Sequence, residues 1–326
     1  MPITSYNAAL HSVAWFEHPN VNILQVSGED ALDLLQRMST NDVHEIPKGT
    51  GKQTILTSDK GRIVDILTAI NFGEYHWWLP SGNNLGETVQ WFRKYIIMDD
   101  VRFMDVSDQW HCFEIIGPSA SQVLTELNNQ FPLKPELFSI QKIIIENVHC
   151  LVMRVPSISD VSYKIFAPHQ QIDILSWFLG ISESIPEIDF LDYEILRIEK
   201  GIGKSPNEYT INQNPLEAGL IHLINFKKGC YIGQEVIARL DTYNKVKSRL
   251  VGFKSGLLLP FGAKIIIDNN EVGHITSCCE SYQFGFISLG YIRQEYAIDG
   301  IKIQMNDGSE SYDAELTILP FHKIQK

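Results

Sequence analysis

The sequence predicts an α+β fold class, with two duplicated split-βαβ (ferredoxin-like) α+β domains followed by a small antiparallel β-barrel. Two observations lead to this prediction. Two stretches about ninety residues apart share one order of apolar runs, glycines and amphipathic patterns. The residues from Ser248 onward form only short apolar runs separated by Gly, Asn and Asp. The first feature is typical of a repeated α+β unit and the second of a barrel.

The repeat is clearest where each copy begins. Ile23 to Met38 reads ILQVSGEDALDLLQRM, and Phe113 to Leu127 reads FEIIGPSASQVLTEL. Each stretch combines an apolar run typical of a strand, a glycine, and apolar residues at helical spacing. The glycines, Gly28 and Gly117, are predicted at the strand-to-helix turn, where a residue without a Cβ adopts a positive φ most easily.

The likeness continues through the rest of each copy. Two further strands are predicted, the second ending in Pro80 or Pro168, and a helix with adjacent Trp and Phe follows at 91–92 or 177–178. DVRFMDV, from Asp100 to Val106, predicts one more short strand. Each copy therefore has the order strand–helix–strand–strand–helix, which is typical of split-βαβ domains. Chance likeness between two α/β segments is the alternative to a duplication.

Six apolar runs after Ser248 predict five or six antiparallel strands, and IIIDNNEVGHI is typical of a hairpin. The predicted domains are therefore 1–110 for the first copy, 111–245 for the second copy together with the cysteine motif described below, and 246–326 for the barrel.

The residues before that motif predict a helix and a long loop. Leu191, Ile195 and Ile198 share one helical face, and Gly201 is typical of a helix stop. GIGKSP, which begins at Gly201, imitates a phosphate-binding loop. It lacks the required first glycine, because Ile198 occupies that position, and it follows a helix rather than a strand.

The charge of the chain argues against general affinity for nucleic acid. The 326 residues include 27 Lys and Arg against 39 Asp and Glu, a formal net charge of −12. Because an acidic chain repels phosphates at long range, direct nucleic-acid binding is not expected.

The cysteines indicate a reducing compartment. Their number is odd, no CxxC occurs, and Cys278 and Cys279 are adjacent, a spacing that fits neither a disulfide framework nor a zinc site. No metal is therefore predicted. The first residues lack the pattern of a secretory signal, and no apolar stretch reaches the roughly 20 residues that span a bilayer. We expect a cytoplasmic protein with no membrane partner.

One motif carries most of the functional signal. Phe226 to Leu240 reads FKKGCYIGQEVIARL, in which Cys230 follows Lys228 and precedes a helix predicted to begin near Gly233. Positive charge and helix N-termini both stabilise thiolates, which makes Cys230 a candidate catalytic residue. A buried cysteine that acts as a small hydrophobic residue is the alternative.

Carboxylates near this motif have two interpretations each. Glu217, in NPLEAGL, is placed either to stabilise a turn or to accept two parallel hydrogen bonds from a guanidine-like edge of a ligand, such as that of a pterin. Glu235 and Arg239 form an i, i+4 pair that supports a helix by itself. Arg62, in DKGRIVD, has the spacing of a surface ion pair.

With these residues in view, the chain resembles the YgfZ-type folate-binding proteins, relatives of the T-protein (aminomethyltransferase) of the glycine cleavage system. The likeness rests on KGCYIGQE at Lys228 to Glu235, on VSGEDALDLLQRMSTNDV, on RIEKGI and NPLEAGL, and on VGHITSCCESYQFGFISLGYIR. The glycine-cleavage enzymes carry no cysteine at the place of Cys230.

The resemblance implies two α+β domains and a barrel around a central channel that holds a tetrahydrofolate or a one-carbon-substituted folate. It also implies a role in maturation or repair of iron–sulfur enzymes, and through one of them an indirect role in tRNA modification. Cys230 would be the reactive residue. Residues that would bind the cofactor are Glu217, Lys228, Tyr231, Gln234 and Glu235, with Arg239 a further candidate.

One departure from the T-protein pattern affects the predicted chemistry. The aminomethyltransferases use an aspartate near the reactive nitrogen of the folate, in a region that here reads WWLPSGNNLGETVQ. Asn83 and Asn84 are present, but no aspartate follows. Three hypotheses therefore stay open: a folate-dependent accessory protein for iron–sulfur enzymes, an aminomethyltransferase, and a folate-binding module without catalysis.

Overall fold

The computed structural model describes residues 5–82, 84–128, 133–145, 148–170, 185–268, 270–306 and 311–322. The chain forms two compact units. The first contains residues 1–36, 42–54 and 66–193, and the second contains residues 37–41, 55–65 and 194–326. The predicted division into 1–110, 111–245 and 246–326 stays a prediction.

Helices are interspersed with runs of antiparallel strands along the chain. Within the described residues the α-helices are α1 (Ser5–His11), α2 (Ala31–Met38), α3 (Leu85–Arg93), α4 (Ala120–Asn128), α5 (Phe190–Glu199) and α6 (Gln234–Thr242). The strands before α5 are β1 (Ala14–His18), β2 (Leu24–Ser27), β3 (Gly51–Thr57), β4 (Ile63–Asn71), β5 (His76–Pro80), β6 (Arg102–Asp105), β7 (Trp110–Ile116), β8 (Ile140–Ile145), β9 (Val148–Val155) and β10 (Ser162–Pro168).

The two five-stranded sheets confirm the duplication. Their orders are β3-β4-β5-β2-β6 and β8-β9-β10-β7-β1. Each strand of one order has its counterpart at the same place in the other, except that β1 takes the place in the second sheet that β6 takes in the first. The second copy therefore borrows its edge strand from the beginning of the chain, with Phe16 opposite Glu114.

The sequence placed the glycines of both copies correctly. Gly28 has a φ of 115°, and a Cβ there would come within 1.9 Å of the Asp100 carbonyl oxygen. Gly117 has a φ of 129°, and a Cβ there would lie 2.5 Å from the Ser12 carbonyl oxygen. The helix predicted around residues 177–178 lies outside the described residues.

One apolar cluster of the first unit draws residues from both sheets. It includes Ile23 and Trp77 of the first copy, and Cys112 and Phe166 of the second. The rings of Trp77 and Phe166 meet edge to face with centroids 5.5 Å apart. The apolar faces that the strand pattern predicted are thus buried together in a shared core.

The carboxyl-terminal strands confirm the predicted barrel. They close in the order β11-β14-β13-β12-β15-β16, so the barrel has no open edge. The predicted IIIDNNEVGHI hairpin is the β12–β13 pair. Bounds are β11 (Ser248–Ser255), β12 (Lys264–Ile267), β13 (Asn270–Ser281), β14 (Gly285–Arg293), β15 (Lys302–Asn306) and β16 (Ser311–Thr317).

Helix α5 confirms the helix that the sequence predicts before Gly201. Ile195 and Ile198 are buried as expected, but Leu191 is 61% exposed. Gly201 ends the helix with a φ of 71°. None of the helices in the described ranges has the length and apolar character needed to cross a lipid bilayer.

Candidate functional site

The cysteine motif lies along a short segment from the amino-terminal half of the chain, and both belong to the second unit. The Asn225 amide donates to the Thr40 carbonyl, and the Ile232 amide donates to the Arg37 carbonyl, each at 3.0 Å. The Thr57 hydroxyl donates to the Ile232 carbonyl at 2.5 Å. Hydrogen bonds thus hold the loop from 225 to 232 at both ends.

Lys228 fixes the middle of this loop. Its side chain is buried, and Nζ donates to the carbonyl oxygens of Ser39 and Asn41, each at 2.7 Å. The ammonium also lies 5.3 Å from the centroid of the Tyr231 ring, a distance at which a cation is attracted to the ring face. Carbonyl and ring partners therefore compensate a charge that would otherwise be costly to bury.

Tyr231 is the apolar anchor of the motif. It packs with Ile224, Ile237 and Leu216. Burial raises the pKa of its hydroxyl to about 12, so the group stays a neutral phenol at physiological pH.

Cys230 differs from the other cysteines in exposure. Cys230 is exposed and Cys278 is half-buried, whereas the remaining three thiols are buried. Burial raises the pKa of those three to about 12. The alternative of Cys230 as a small buried hydrophobic residue does not fit its exposure. The buried thiols are Cys112, Cys150 and Cys279.

Helix α6 begins where the sequence predicts, immediately after Gly233. This glycine has a φ of 83°, and a Cβ there would lie 2.4 Å from the Ser58 carbonyl oxygen. Gln234 is half-buried, while Glu235 and Arg239 are exposed. Within the described residues no ion pair joins Glu235 to Arg239, so helix support by that pair is not observed.

Glu217 lies in a reciprocal turn with Asn214. The Glu217 amide donates to Oδ1 of Asn214, and the Asn214 amide donates to Oε2 of Glu217, both at 3.0 Å. This arrangement has the form of a capping box. Arg62 adds a third contact, from Nη1 to Oε2 of Glu217 at 3.1 Å, and the same nitrogen donates to the Asn212 carbonyl. The turn-stabilising interpretation of Glu217 is therefore correct for one of its oxygens.

The second oxygen of Glu217 is what a ligand would use. Its side chain is only 7% exposed, and Oε1 has no hydrogen-bond partner in the part of the chain that the structure describes. Oε1 is not among the fully buried, unsatisfied atoms of the described residues, so solvent reaches it. An ionised carboxylate accepts about four hydrogen bonds, so this oxygen has acceptor capacity that the protein does not use. Oε1 is therefore the oxygen of Glu217 that is open to a hydrogen-bond donor, whereas Arg62 occupies Oε2.

Sequence reasoning missed the role of Arg62. Its spacing predicted a surface ion pair, whereas its partner is a buried carboxylate 155 residues away. It also missed a buried charge cluster behind the site. There Arg197 binds Glu194 and Glu208, and Lys204 of GIGKSP binds Glu194 at 2.6 Å. The Glu194–Arg197 pair has the i, i+3 spacing of a helix, whereas no local pattern signals the contact of Arg62 with Glu217 or that of Lys204 with Glu194.

In the segment WWLPSGNNLGETVQ, where the aminomethyltransferases use an aspartate, Asn84 caps a helix. Asn84 accepts from the Glu87 amide at 3.2 Å and donates to the Glu87 carboxylate at 2.8 Å, which caps α3. Asn83 lies outside the described residues. No group of three or more His, Cys, Asp or Glu among the described residues could hold a metal ion.

Comparison with known proteins identifies the family. Residues 3–228 match the GCVT N-terminal domain, and residues 249–323 match the glycine cleavage T-protein C-terminal barrel domain. The first match covers well over half of the chain. The protein therefore belongs to this family of glycine cleavage T-protein relatives.

Individual relatives cover most of the chain. An aminomethyltransferase of Caldanaerobacter subterraneus subsp. tengcongensis is 25% identical in an alignment of 330 positions, which covers 98% of this chain and 88% of the relative. A chloroplast protein of Arabidopsis thaliana, named only provisionally as a transferase, is 27% identical over 91% of this chain and 69% of its own length.

A solved structure agrees in fold. The glycine cleavage system aminomethyltransferase T of Bartonella henselae superposes with a TM-score of 0.84 at 17% identity, over 98% of this chain and 90% of that one. At this identity the likeness shows the fold alone.

Proposed function

We propose that the protein binds a tetrahydrofolate at Glu217 and the Cys230 loop, and that it assists the maturation or repair of iron–sulfur enzymes. Its effect on tRNA modification is then indirect. The observation that carries the proposal is Oε1 of Glu217, an acceptor on a largely buried side chain that has no protein partner among the described residues. Membership in the T-protein family supports a folate as the ligand that donates hydrogen bonds to this oxygen.

The chain's own residues have distinct tasks in this proposal. Glu217 accepts hydrogen bonds from the amidine-like edge of the ligand, and the Asn214 turn keeps the carboxylate in place. Lys228 and Tyr231 hold the loop, and Cys230 presents a thiol at its surface. Bound tetrahydrofolate would supply a carrier for a one-carbon unit.

Calorimetric titration with tetrahydrofolate tests the ligand. Glu217→Gln keeps the shape but loses the charge, so we expect binding at least about tenfold weaker, since a charged hydrogen bond contributes about 1.5–3 kcal/mol. Glu280→Gln, at an exposed position of β13, is the matched control for the loss of one carboxylate. Absence of binding heat with the unaltered protein would contradict the proposal.

A second experiment tests the thiol. Cys230→Ala should retain folate affinity but fail to restore iron–sulfur enzyme activity in cells that lack the protein. Ellman's reagent should modify one thiol rapidly in the native protein and none in this variant. Complementation equal to that of the unaltered protein would mean that the thiol has no chemical role and would favour a folate-binding module without catalysis.

Aminomethyl transfer is the second candidate, because several relatives are named aminomethyltransferases. Ammonia release from an aminomethyl-loaded lipoyl carrier protein in the presence of tetrahydrofolate measures it directly. We expect none, because the sequence lacks the aspartate and Asn84 serves as a helix cap. Substantial release would replace the accessory role by this one.

A further inference from the structure

A concentration of positive charge follows the cysteine motif in an otherwise acidic chain. Residues 239–249 contain four basic residues and one acidic residue, whereas the whole chain has 27 basic against 39 acidic residues. Arg293 adds to this concentration, because it lies directly opposite Ser248 on the neighbouring barrel strand.

These basic residues lie at the end of α6, in the turn after it, around the start of β11 and at the end of the paired strand β14. Arg239 is in the last turn of α6, and the Lys245 amide donates to the Leu240 carbonyl at 2.9 Å, which turns the chain toward β11. Residues 247 and 249 flank Ser248, at about 3.3 Å per residue along the strand. We name as the basic rim the residues Arg239, Lys245, Lys247, Arg249 and Arg293.

The basic rim has no counterions of its own. All five residues are exposed, and within the described ranges none of their side chains forms an ion pair or a hydrogen bond. Elsewhere in the same unit the pattern differs. Lys204 pairs with Glu194 and Lys264 pairs with Glu271. Unpaired charges of one sign concentrate a field that attracts an acidic partner.

Exposed apolar side chains accompany the charge. Tyr243 is 64% exposed, with the Lys245 ammonium 5.6 Å from its ring centroid, and Val236 is 37% exposed. Helix α6 connects this area to the cysteine loop. Its nine residues extend about 14 Å at 1.5 Å per residue. The rim and the Cys230 thiol therefore fit within one protein–protein interface of ordinary size.

We propose that the basic rim and the outer face of α6 form a docking surface for an acidic surface of a partner protein, whose contact brings it next to Cys230. Aromatic, aliphatic and arginine side chains together are typical of protein interfaces. A nucleic acid would meet the same rim, but the net charge of −12 opposes a long polyanion over the rest of the surface. The proposal does not require folate binding.

Fluorescence anisotropy with a labelled octaglutamate peptide tests the surface. The peptide should bind the full-length protein, and the affinity should fall as salt is raised. Lys245→Glu, Lys247→Glu and Arg249→Glu together should weaken binding at least tenfold. The control combines Lys48→Glu, Lys134→Glu and Lys142→Glu, which are exposed residues of the first unit with the same total charge change, and it should change binding less than twofold.

Three results would overturn the proposal: no binding of the peptide, equal loss in both triple variants, or tighter binding of unfractionated tRNA than of the peptide with loss in the rim variant alone. Circular dichroism melting checks that both triple variants fold. If charge reversal prevents folding, the neutral variant with Lys245→Gln, Lys247→Gln and Arg249→Gln gives the same test.

Discussion

A buried ammonium shapes the loop that presents the thiol. The sequence suggested that Lys228 activates Cys230, but its Nζ donates to the Ser39 and Asn41 carbonyls. Its neighbour Lys227 is exposed. Of these two adjacent lysines, Lys228 therefore has a structural charge and Lys227 a solvated one. No local sequence pattern distinguishes them.

Lys228→Met tests this difference at the residue scale. Methionine fills much of the same volume but leaves two carbonyls unsatisfied, so the free energy of unfolding should fall by about 1–3 kcal/mol. Lys227→Met is the control and should change it by less than about 0.5 kcal/mol. Urea unfolding measures both. Equal effects of the two substitutions would refute the role of the Lys228 contacts.

A second buried charge lies in the first unit. Oε2 of Glu114 is 2.8 Å from Nε2 of His18 and 3.1 Å from the Tyr193 hydroxyl. Burial, helped by the charge of Lys164, lowers the pKa of His18 below its ordinary value of 6.5. Burial alone would raise the pKa of Glu114, but His18, Lys164 and Ser162 together outweigh it and hold that pKa below 4.5.

Both shifts make the folded protein less stable in acid. Below pH 6.5 the unfolded state gains a proton at His18 before the folded state does, and below pH 4.5 the same applies to Glu114, so stability rises with pH through these ranges. His18→Gln should flatten the dependence of the melting temperature on pH between 7 and 5. Replacement of exposed His44 by Gln is the control, and it should leave the slope as it was.

At the scale of single elements, the sequence predicted the start of α6 because one glycine determines it. Gly233 needs its positive φ and has no room for a Cβ, whereas a Cβ at Gly229 would meet nothing within 4 Å. The six barrel strands could also be predicted from the sequence, because turn residues separate the apolar runs. Leu191 shares its face with Ile195 and Ile198 but is exposed, because spacing gives the face of a helix but not what covers its first turn.

Gly233→Ala and Gly229→Ala make a matched pair within one loop. The first forces a side chain into a left-handed conformation and against the Ser58 carbonyl, so the free energy of unfolding should fall by at least about 2 kcal/mol. The second should be nearly neutral. Thermal unfolding compares them, and a larger loss for Gly229→Ala would show that the glycines have other roles.

At the scale of the molecule, duplication was visible in the sequence but the use of β1 was not. Local patterns predict a strand and its buried face, whereas pairing between residues about 98 positions apart depends on which edges the rest of the chain leaves open. The buried contacts of Arg62 and Lys228 escaped prediction for the same reason. Their partners are 155 and almost 190 residues distant.

Deletion of residues 1–18 tests the borrowed strand. The second sheet would lose its edge and the buried Trp15 and Phe16, while every strand of the first sheet would remain. Hydrogen exchange should therefore accelerate in β7 and β10 far more than in β2 and β5. Similar acceleration in both sheets would indicate that the duplicated halves unfold as one.

The equivalence of β1 and β6 has a consequence during synthesis. Strand β1 is synthesised first, but its neighbour β7 is complete only at residue 116. Strand β2, in contrast, is complete within ten residues of the end of β1. During that interval the edge of β2 that β6 occupies in the folded protein is unpaired. This edge is equivalent to the edge of β7 that β1 occupies. Synthesis of β6 then supplies the strand that pairs with this edge of β2 in the folded protein.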